Sequence, residues 1–390
     1  MRPQDLLAVC LAALLSLPAA TVPTAAQGID LRVRGGGAKG PIPHKSSRGQ
    51  SDSVGVVGEG AGETEFRMVD EIAAAVASGQ EGGPNGEVGL RVLALPGRGG
   101  LQNVRDVLAR PDIDFGIAPI LVLERAAAMP SMANLRDRIA YVAPLYVEEV
   151  HLLAGPGVSS VDDLAGKRVS LGSVGGSGET VASAVLDALG LKVSASNLEG
   201  AAAVAAIREG ALDAAFVVSG KPVGSLRNLA GDGKVRLLPI PAERVPEGFL
   251  PSRLTHADYP ALVPEGAAVE TLGAQNVLFG YGWPVRSARG QVGRTFLAIL
   301  LYRLPDLQVG SRHPKWREVN VAATLPGWHR LPAMADWLAK ARPRAVGTAS
   351  EAEFESFLKR TGTRVTGENR DALYQDFLRW RSTPVAVGSR

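Results

Sequence analysis

The feature that most constrains this chain is a local pattern stated twice. A short apolar strand ends in glycines, a helix follows, and a further strand and helix repeat the step before a third strand begins. VGVVG (54–58) is the first strand, and Phe66, Val69, Ile72, Ala73 and Val76 then recur at helical spacing. LRVLALPG (90–97) is the second strand, and Leu101, Val104, Val107 and Leu108 line one face of the next helix. DIDFGIA (112–118) is the third. The same order returns in KRVSLGSVGGSGE (167–179), in a helix with Val181, Ala184, Val185, Ala188 and Leu189 on one face, in a helix over 201–208, and in LDAAFVVSG (212–220). Small details return with it. Gly62-Glu63-Thr64 and Gly178-Glu179-Thr180 open corresponding helices, and Asp114-Phe115 and Asp213–Phe216 mark corresponding third strands. Strands alternating with helices imply parallel, doubly wound sheet. Two copies roughly 100–115 residues apart imply two similar α/β lobes, not a solenoid.

The remaining segments fit around this frame. YVAPLYVEEVHLLAG (141–155) reads as the connection between lobes, and VETLGAQNVLFGYGW (269–283) as the return strand. A helix over 285–303 rejoins the first lobe, and LPGWHRLPAMADWLAK (325–340) reads as a turn and terminal helix. The organisation expected is therefore lobe 1 over 54–146, lobe 2 over 147–268, a return segment of lobe 1 over 269–345, and a helical extension over 346–390. Before these lies a Gly-, Ser- and Pro-rich stretch over 27–53 without periodicity, read as a disordered linker. The first 26 residues read as a secretory signal: Arg2, an apolar run from Leu6 to Leu17, and Thr24-Ala25-Ala26 for cleavage near Ala26. That run is too short to span a bilayer, so the expectation is an exported, periplasmic protein without stable membrane insertion.

Composition narrows the chemistry. The only cysteine, Cys10, falls in the signal, so disulfides and thiolate chemistry are excluded from the mature chain. Leu7-Ala8-Val9-Cys10 is not a lipobox, because valine is too large before the cysteine. A net charge of +3, without basic runs, argues against nucleic acid. His44, His151, His256, His313 and His329 show no metal-ligand spacing, so no metal is expected. No cofactor is expected either. Gly58-Glu59-Gly60-Ala61-Gly62-Glu63 misses the dinucleotide fingerprint at its third glycine, and Leu95-Pro96-Gly97 offers no acidic residue for a ribose. Glu148-Glu149 invites a general-base reading, but adjacent strand residues point to opposite faces. No catalytic residue is assigned.

What remains are four turns at the carboxyl ends of strands, where open α/β sheets bind ligands. GSVGGSGET (172–180) combines a glycine turn with a helix N-terminus, with Ser177 as a cap and Thr180 as a further hydroxyl, an arrangement suited to a carboxylate or phosphate. The turn 58–63 contributes Gly60 and Gly62. Gly97-Arg98-Gly99-Gly100 offers Arg98 as a bidentate partner for a carboxylate, with Asn103 on the following helical turn. Ser219-Gly220-Lys221-Pro222 holds the equivalent place in the second copy. Each of these turns also has an ordinary reading as a tight connection. Tyr281 and Trp283 line the cleft or fill the core.

With these residues assembled, the chain resembles the TAXI family, the solute-binding proteins of TRAP transporters, which have the type II periplasmic binding-protein fold. The resemblance is carried by VEEVHLLAGPGVSSVDDLAGKRVSLGSVGGSGETVASAVLDALGL (147–191), by LDAAFVVSGKPVGSL (212–226) and, more weakly, by GRGGLQNVRDVLARPDIDFGIAP (97–119). It covers roughly 54–300. It implies a cleft that closes on a small anionic, carboxylate-bearing solute and presents it to a TRAP membrane permease. The implied contacts are Gly60, Gly62, Arg98, Gly99, Gly100, Asn103, Ser173, Ser177, Gly178, Thr180 and Gly220. Two departures stand out. Glu63-Thr64-Glu65-Phe66 occupies the place where the family carries tyrosines, and LPGWHRL replaces its His-Pro-Gly-Ala stretch. The alternatives are the same fold serving an ABC importer or a sensor kinase, an enzyme on that fold with Glu148, Glu179 or Thr180 at its centre, and an envelope interaction protein without ligand.

Overall fold

The computed structural model describes residues 53–60, 63–78, 90–229, 231–245 and 248–341. The expected signal, nearly all of the linker, Gly62 and the C-terminal extension lie outside the described residues. In chain order the first half comprises β1 (Ser53–Gly58), α1 (Thr64–Ser78), β2 (Arg91–Pro96), α2 (Gly100–Ala109), β3 (Phe115–Pro119), α3 (Ile120–Ala128) and α4 (Leu135–Arg138). The long strand β4 (Ile139–Ala154) leads to β5 (Arg168–Ser170), α5 (Ser177–Leu189), β6 (Ser194–Ser196), α6 (Gly200–Arg208), β7 (Ala214–Ser219) and α7 (Gly224–Arg227). Then come β8 (Arg236–Leu238), β9 (Leu250–Thr255), the second long strand β10 (Ala268–Tyr281), α8 (Ala288–Leu307) and α9 (Pro332–Ala341). The fold is thus mixed α/β, as the alternating pattern predicts.

Among the described residues all ten strands belong to one sheet, ordered β2-β1-β3-β10-β4-β7-β5-β6, with β8 on β4 and β9 on β10. At one end β1, β2 and β3 are parallel, and at the other β5, β6 and β7 are parallel. β4 and β10 run antiparallel through the middle and join the two ends. The segments read as the connection between lobes and the return strand are therefore continuous, paired strands. A lobe boundary at 146/147 would fall inside β4.

Each end of the sheet is covered on both faces, so alternate strand residues enter different cores. In the first half Val54 and Val56 pack with Met68, Ile72, Phe296 and Leu300, beneath α1 and α8. Val57 points the other way, towards Val104, Val107, Val122 and Leu123 of α2 and α3. In the second half Phe216 and Val218 meet Val181 and Val185 of α5, while Ala215 and Val217 meet Ala203, Val204 and Ile207 of α6. Burying each such side chain contributes about 1.5–3 kcal/mol. Tyr281 and Trp283 belong to the α2–α3 core, which decides their role in favour of packing.

The copied details have copied structural jobs. Asp114 accepts the Gly55 N–H at 3.0 Å, and Asp213 accepts the Arg168 N–H at 2.8 Å. Each acidic residue ahead of a third strand thus stitches it to the first strand of its own half.

Candidate ligand-binding site

The turns at the carboxyl ends of the parallel strands converge from both halves. At their meeting point is a cleft of about 410 Å³, open to solvent. Its polar walls are Glu59, Gly60 and Glu63 on the first-half side and Gly172, Ser173, Gly178, Glu199 and Gly200 on the second. The end of β7, Phe216 to Val218, supplies the apolar part. Every charged residue in this lining is a glutamate.

Among the expected site residues, Gly60, Ser173 and Gly178 line the cleft. Gly99, Gly100 and Ser177 lie beside it, in the seam between the halves. A Cβ on Gly100 would stand 2.4 Å from the Gly176 carbonyl carbon, and Gly100 has φ +52°. Only glycine allows this close approach in that left-handed conformation. The seam is fastened by the Gly100 N–H donating to the Ser177 Oγ at 2.9 Å and by the Gln102 N–H donating to the Gly175 carbonyl at 3.3 Å. Ser177 therefore does not cap α5: the cap is Gly176. Its hydroxyl instead crosses the seam, accepting from Gly100 and lying 3.3 Å from Glu65 Oε1.

Four expectations change. Arg98 is exposed and is not part of the cleft wall, because its backbone is held against Gly176 while the side chain faces solvent. Asn103 is fully buried and donates to the Ile117 carbonyl at 3.0 Å, tying α2 to β3. Thr180 returns its hydroxyl to the Gly176 carbonyl at 3.2 Å, within its own helix. Gly220 is packed under Thr64, Lys315 and Tyr146, and its carbonyl accepts from the Thr64 hydroxyl at 2.8 Å. These residues build the seam and its supports rather than the cleft wall.

The α5 N-terminus, expected to receive an anion, is already supplied with the protein's own carboxylates. The Ser177 backbone N–H acts on Glu59, the Ser177 hydroxyl faces Glu65, and Glu179 accepts the Gly175 N–H at 2.7 Å. This satisfies the dipole without a ligand.

Sequence reading missed the concentration of acid that results. Glu59 follows β1, Glu65 lies in the first turn of α1, and Glu148 projects from β4. All three are buried, and one oxygen from each lies within 4.8 Å of the others. Burial, then the neighbouring carboxylates, raises the pKa of Glu59 and of Glu65 well above the usual range. Glu148 is pushed up to about 8, chiefly by burial. Glu63 is raised too, by burial and by Glu199. The signal for this was present: Glu59, Glu63 and Glu65 fall within seven residues of one turn. Only the fold brings Glu148 to them.

Glu149, next along β4, shows the contrast. It faces the other way and is 2.7 Å from Lys315 Nζ, with the Lys221 N–H donating to it at 2.9 Å. The adjacent glutamates thus do point to opposite faces, one paired with a lysine and one not.

A family model, the NMT1-like family, matches residues 60–280. The chain belongs to the NMT1-like family. The match runs from the first glycine turn to the end of β10 and so takes in both halves of the site. Among solved structures, the chain is similar to MatC from Rhodopseudomonas palustris with bound malate, at 19% identity over 74% of this chain and 95% of that one, TM-score 0.44. It is similar to the alkanesulfonate-binding protein SsuA from Xanthomonas axonopodis pv. citri bound to MOPS, at 17% identity over 81% and 93%, TM-score 0.41. A third is the amino acid ABC transporter substrate-binding protein AbpA from Streptococcus pneumoniae bound to L-arginine, at 13% over 66% and 89%, TM-score 0.35. Among the described residues no helix is long and apolar enough to cross a membrane.

Proposed function

We propose that this member of the NMT1-like family is an extracytoplasmic solute-binding protein whose cleft selects a small solute carrying a positive charge, and that it delivers the solute to a membrane permease. Support for binding comes from the position of the cleft, at the carboxyl ends of parallel strands contributed by both halves. The resemblance to TAXI proteins favours a TRAP-type permease as the acceptor and the periplasm as the compartment.

The charge of the solute is where the proposal leaves that resemblance. A carboxylate-bearing solute would enter a cleft whose charged lining is Glu59, Glu63 and Glu199, next to a helix N-terminus already taken by Glu59 and Glu65. Burial and mutual repulsion already push the pKa of Glu59 and Glu63 up, and a further carboxylate beside them would add to that repulsion, whereas a cation would relieve it. An ammonium or guanidinium group meets complementary charge there, with Phe216 to Val218 covering its apolar stem. The all-glutamate charge of the lining is the observation that carries the reading.

A thermal-shift series on the purified, ligand-stripped chain tests it, comparing cationic amino acids and polyamines with dicarboxylates and keto acids. A ligand of the folded state at 100 times its dissociation constant adds about 2.7 kcal/mol. Stabilisation confined to the cationic set is the expected result. Stabilisation by dicarboxylates alone would return the solute to the carboxylate class, and no response to any member would remove the receptor reading for these solutes.

A further inference from the structure

Beneath the open cleft, the three buried glutamates have no cationic partner among the described residues. Glu65 and Glu148 are fully inaccessible to solvent, and Oε2 of each lacks any hydrogen-bond partner. Arg67, two residues from Glu65, pairs with Glu71, Lys315 is held by Glu149 and Glu318, and Lys221 by Asp258. A second, independent observation points the same way. Asn276 on β10 is also fully buried, and neither its side-chain oxygen nor its nitrogen has a partner of hydrogen-bonding geometry. It sits where the β10–β4 register shifts, between Gln275 and Val277, and its side chain is close enough to Glu148 to act on that carboxyl. An amide placed only for packing at such a site would be costly, because among the described residues neither polar end meets a protein group in good hydrogen-bond geometry.

We propose that Glu59, Glu65 and Glu148, with the Asn276 side-chain oxygen, form a site for a hard divalent cation at the floor of the cleft. The donor set is all oxygen, which suits calcium, magnesium or manganese rather than zinc or copper. The spacing fits as well. Oxygens bound to one calcium ion at ~2.3–2.6 Å lie no more than about 5 Å apart across it, and one oxygen from each glutamate falls within 4.8 Å of the others. Four separate places in the chain converge on it: the β1–α1 turn, the first turn of α1, β4 and β10. The ligands thus come from the first half and from both strands that join the halves. Glu63 and Glu199, higher on the cleft wall, are left to face the solute.

The probe is the metal alone, so this inference succeeds or fails independently of the organic solute. The full chain, freed of divalent ions by chelator and then freed of chelator, is titrated with calcium, magnesium and manganese chlorides by calorimetry and by thermal shift. Saturable binding of one ion per chain, with a raised melting temperature, is the expected result. Glu148→Gln and Glu65→Gln, each close in shape to the native residue, should weaken binding at least tenfold. Glu243→Gln, on an exposed turn, should leave it unchanged. Asn276→Asp adds a fourth carboxylate at the same place and should tighten binding. Absence of saturable binding at millimolar concentrations of all three ions overturns the proposal. So does wild-type affinity in the folded Glu148→Gln and Glu65→Gln proteins. If either glutamine variant fails to fold, unchanged affinity in Asn276→Asp overturns the placement of the site.

Discussion

The two halves of the molecule open their first helices with nearly the same words, Gly-Glu-Thr, and put them to opposite uses. In the second half Glu179 turns back to its own loop, accepting from the Gly175 N–H and from the Asn197 amide. In the first half Glu63, together with Glu59 and Glu65, is directed into the space between the halves, where the carboxylates are short of donors. One turn therefore offers N–H groups across the seam and the other offers carboxylates. A repeated strand–turn–helix unit fixes position, while a few side chains around the turn decide the sign of the site.

The sharpest way to probe this asymmetry is at the matched aspartates. Asp114 is almost fully buried against Arg289, whereas Asp213 pairs with a half-exposed Arg168. Asp114→Ala strands a largely buried guanidinium and the Gly55 N–H, and should cost about 3–5 kcal/mol. Asp213→Ala should cost about 1 kcal/mol or less, because its partner is returned to water. Urea unfolding of both variants measures the gap. Equal losses would mean that the two stitches carry the same load despite their different burial.

A smaller effect tests the seam itself. Gly100→Ala places a methyl group against the Gly176 backbone in a left-handed conformation, and should destabilise the chain by about 3 kcal/mol through combined overpacking and strain. Gly190→Ala is a control from the second half. It is also left-handed, at φ +68°, but nothing lies within 4 Å of the added carbon, so only the strain of roughly 1–2 kcal/mol remains. If the two cost the same, close approach contributes nothing at the seam.

The effect with the gentlest onset is a pH dependence to which His151 in the second half contributes. Its ring is buried between the Val217 carbonyl and the Tyr259 hydroxyl, and burial pushes its pKa down to about 4. An unfolded histidine titrates near 6.5. Above that pH the ring is neutral in both states. Below it the unfolded chain takes up the proton first, so stability falls as pH falls from about 6.5 towards 4. The slope approaches ~1.4 kcal/mol per pH unit. His151→Gln should lose this component, read as the difference between wild-type and variant melting temperatures across pH 7 to 4 at matched salt. A difference that stays constant over that range would show that the ring is accessible to protons in the folded state.

The frame was legible in the sequence because it rests on periodicity. Strands at β1, β3 and β7, the helices at α2, α5 and α6, and the paired aspartates all follow from spacing that one strand or helix imposes on its own residues. The site was less legible, because its properties depend on which turns face each other. Glycines at 97–100 and 172–178 read equally well as ligand cradles or as tight connections. They are chiefly the surface on which the halves meet, with Gly172, Ser173 and Gly178 on the cleft wall. Arg98 has the right chemistry for an anion and the wrong direction. Glu148 reads in the sequence only as a general-base candidate beside Glu149, since nothing local distinguishes them. Lys315 lies on one side of β4, and Glu59 and Glu65 lie on the other.

The two long central strands bring a mechanical consequence. β4 and β10 are the only strands shared by both ends of the described sheet, so any swing of one end against the other must be taken up as torsion along this pair. The pair's register slips twice, at Asn276 and again between Leu278 and Phe279, so its least regular stretch begins at Asn276. Glu148 and Asn276 ride on the pair. An ion gripping both would stiffen this strand pair, so that what occupies the floor of the cleft would also govern how readily its walls could part.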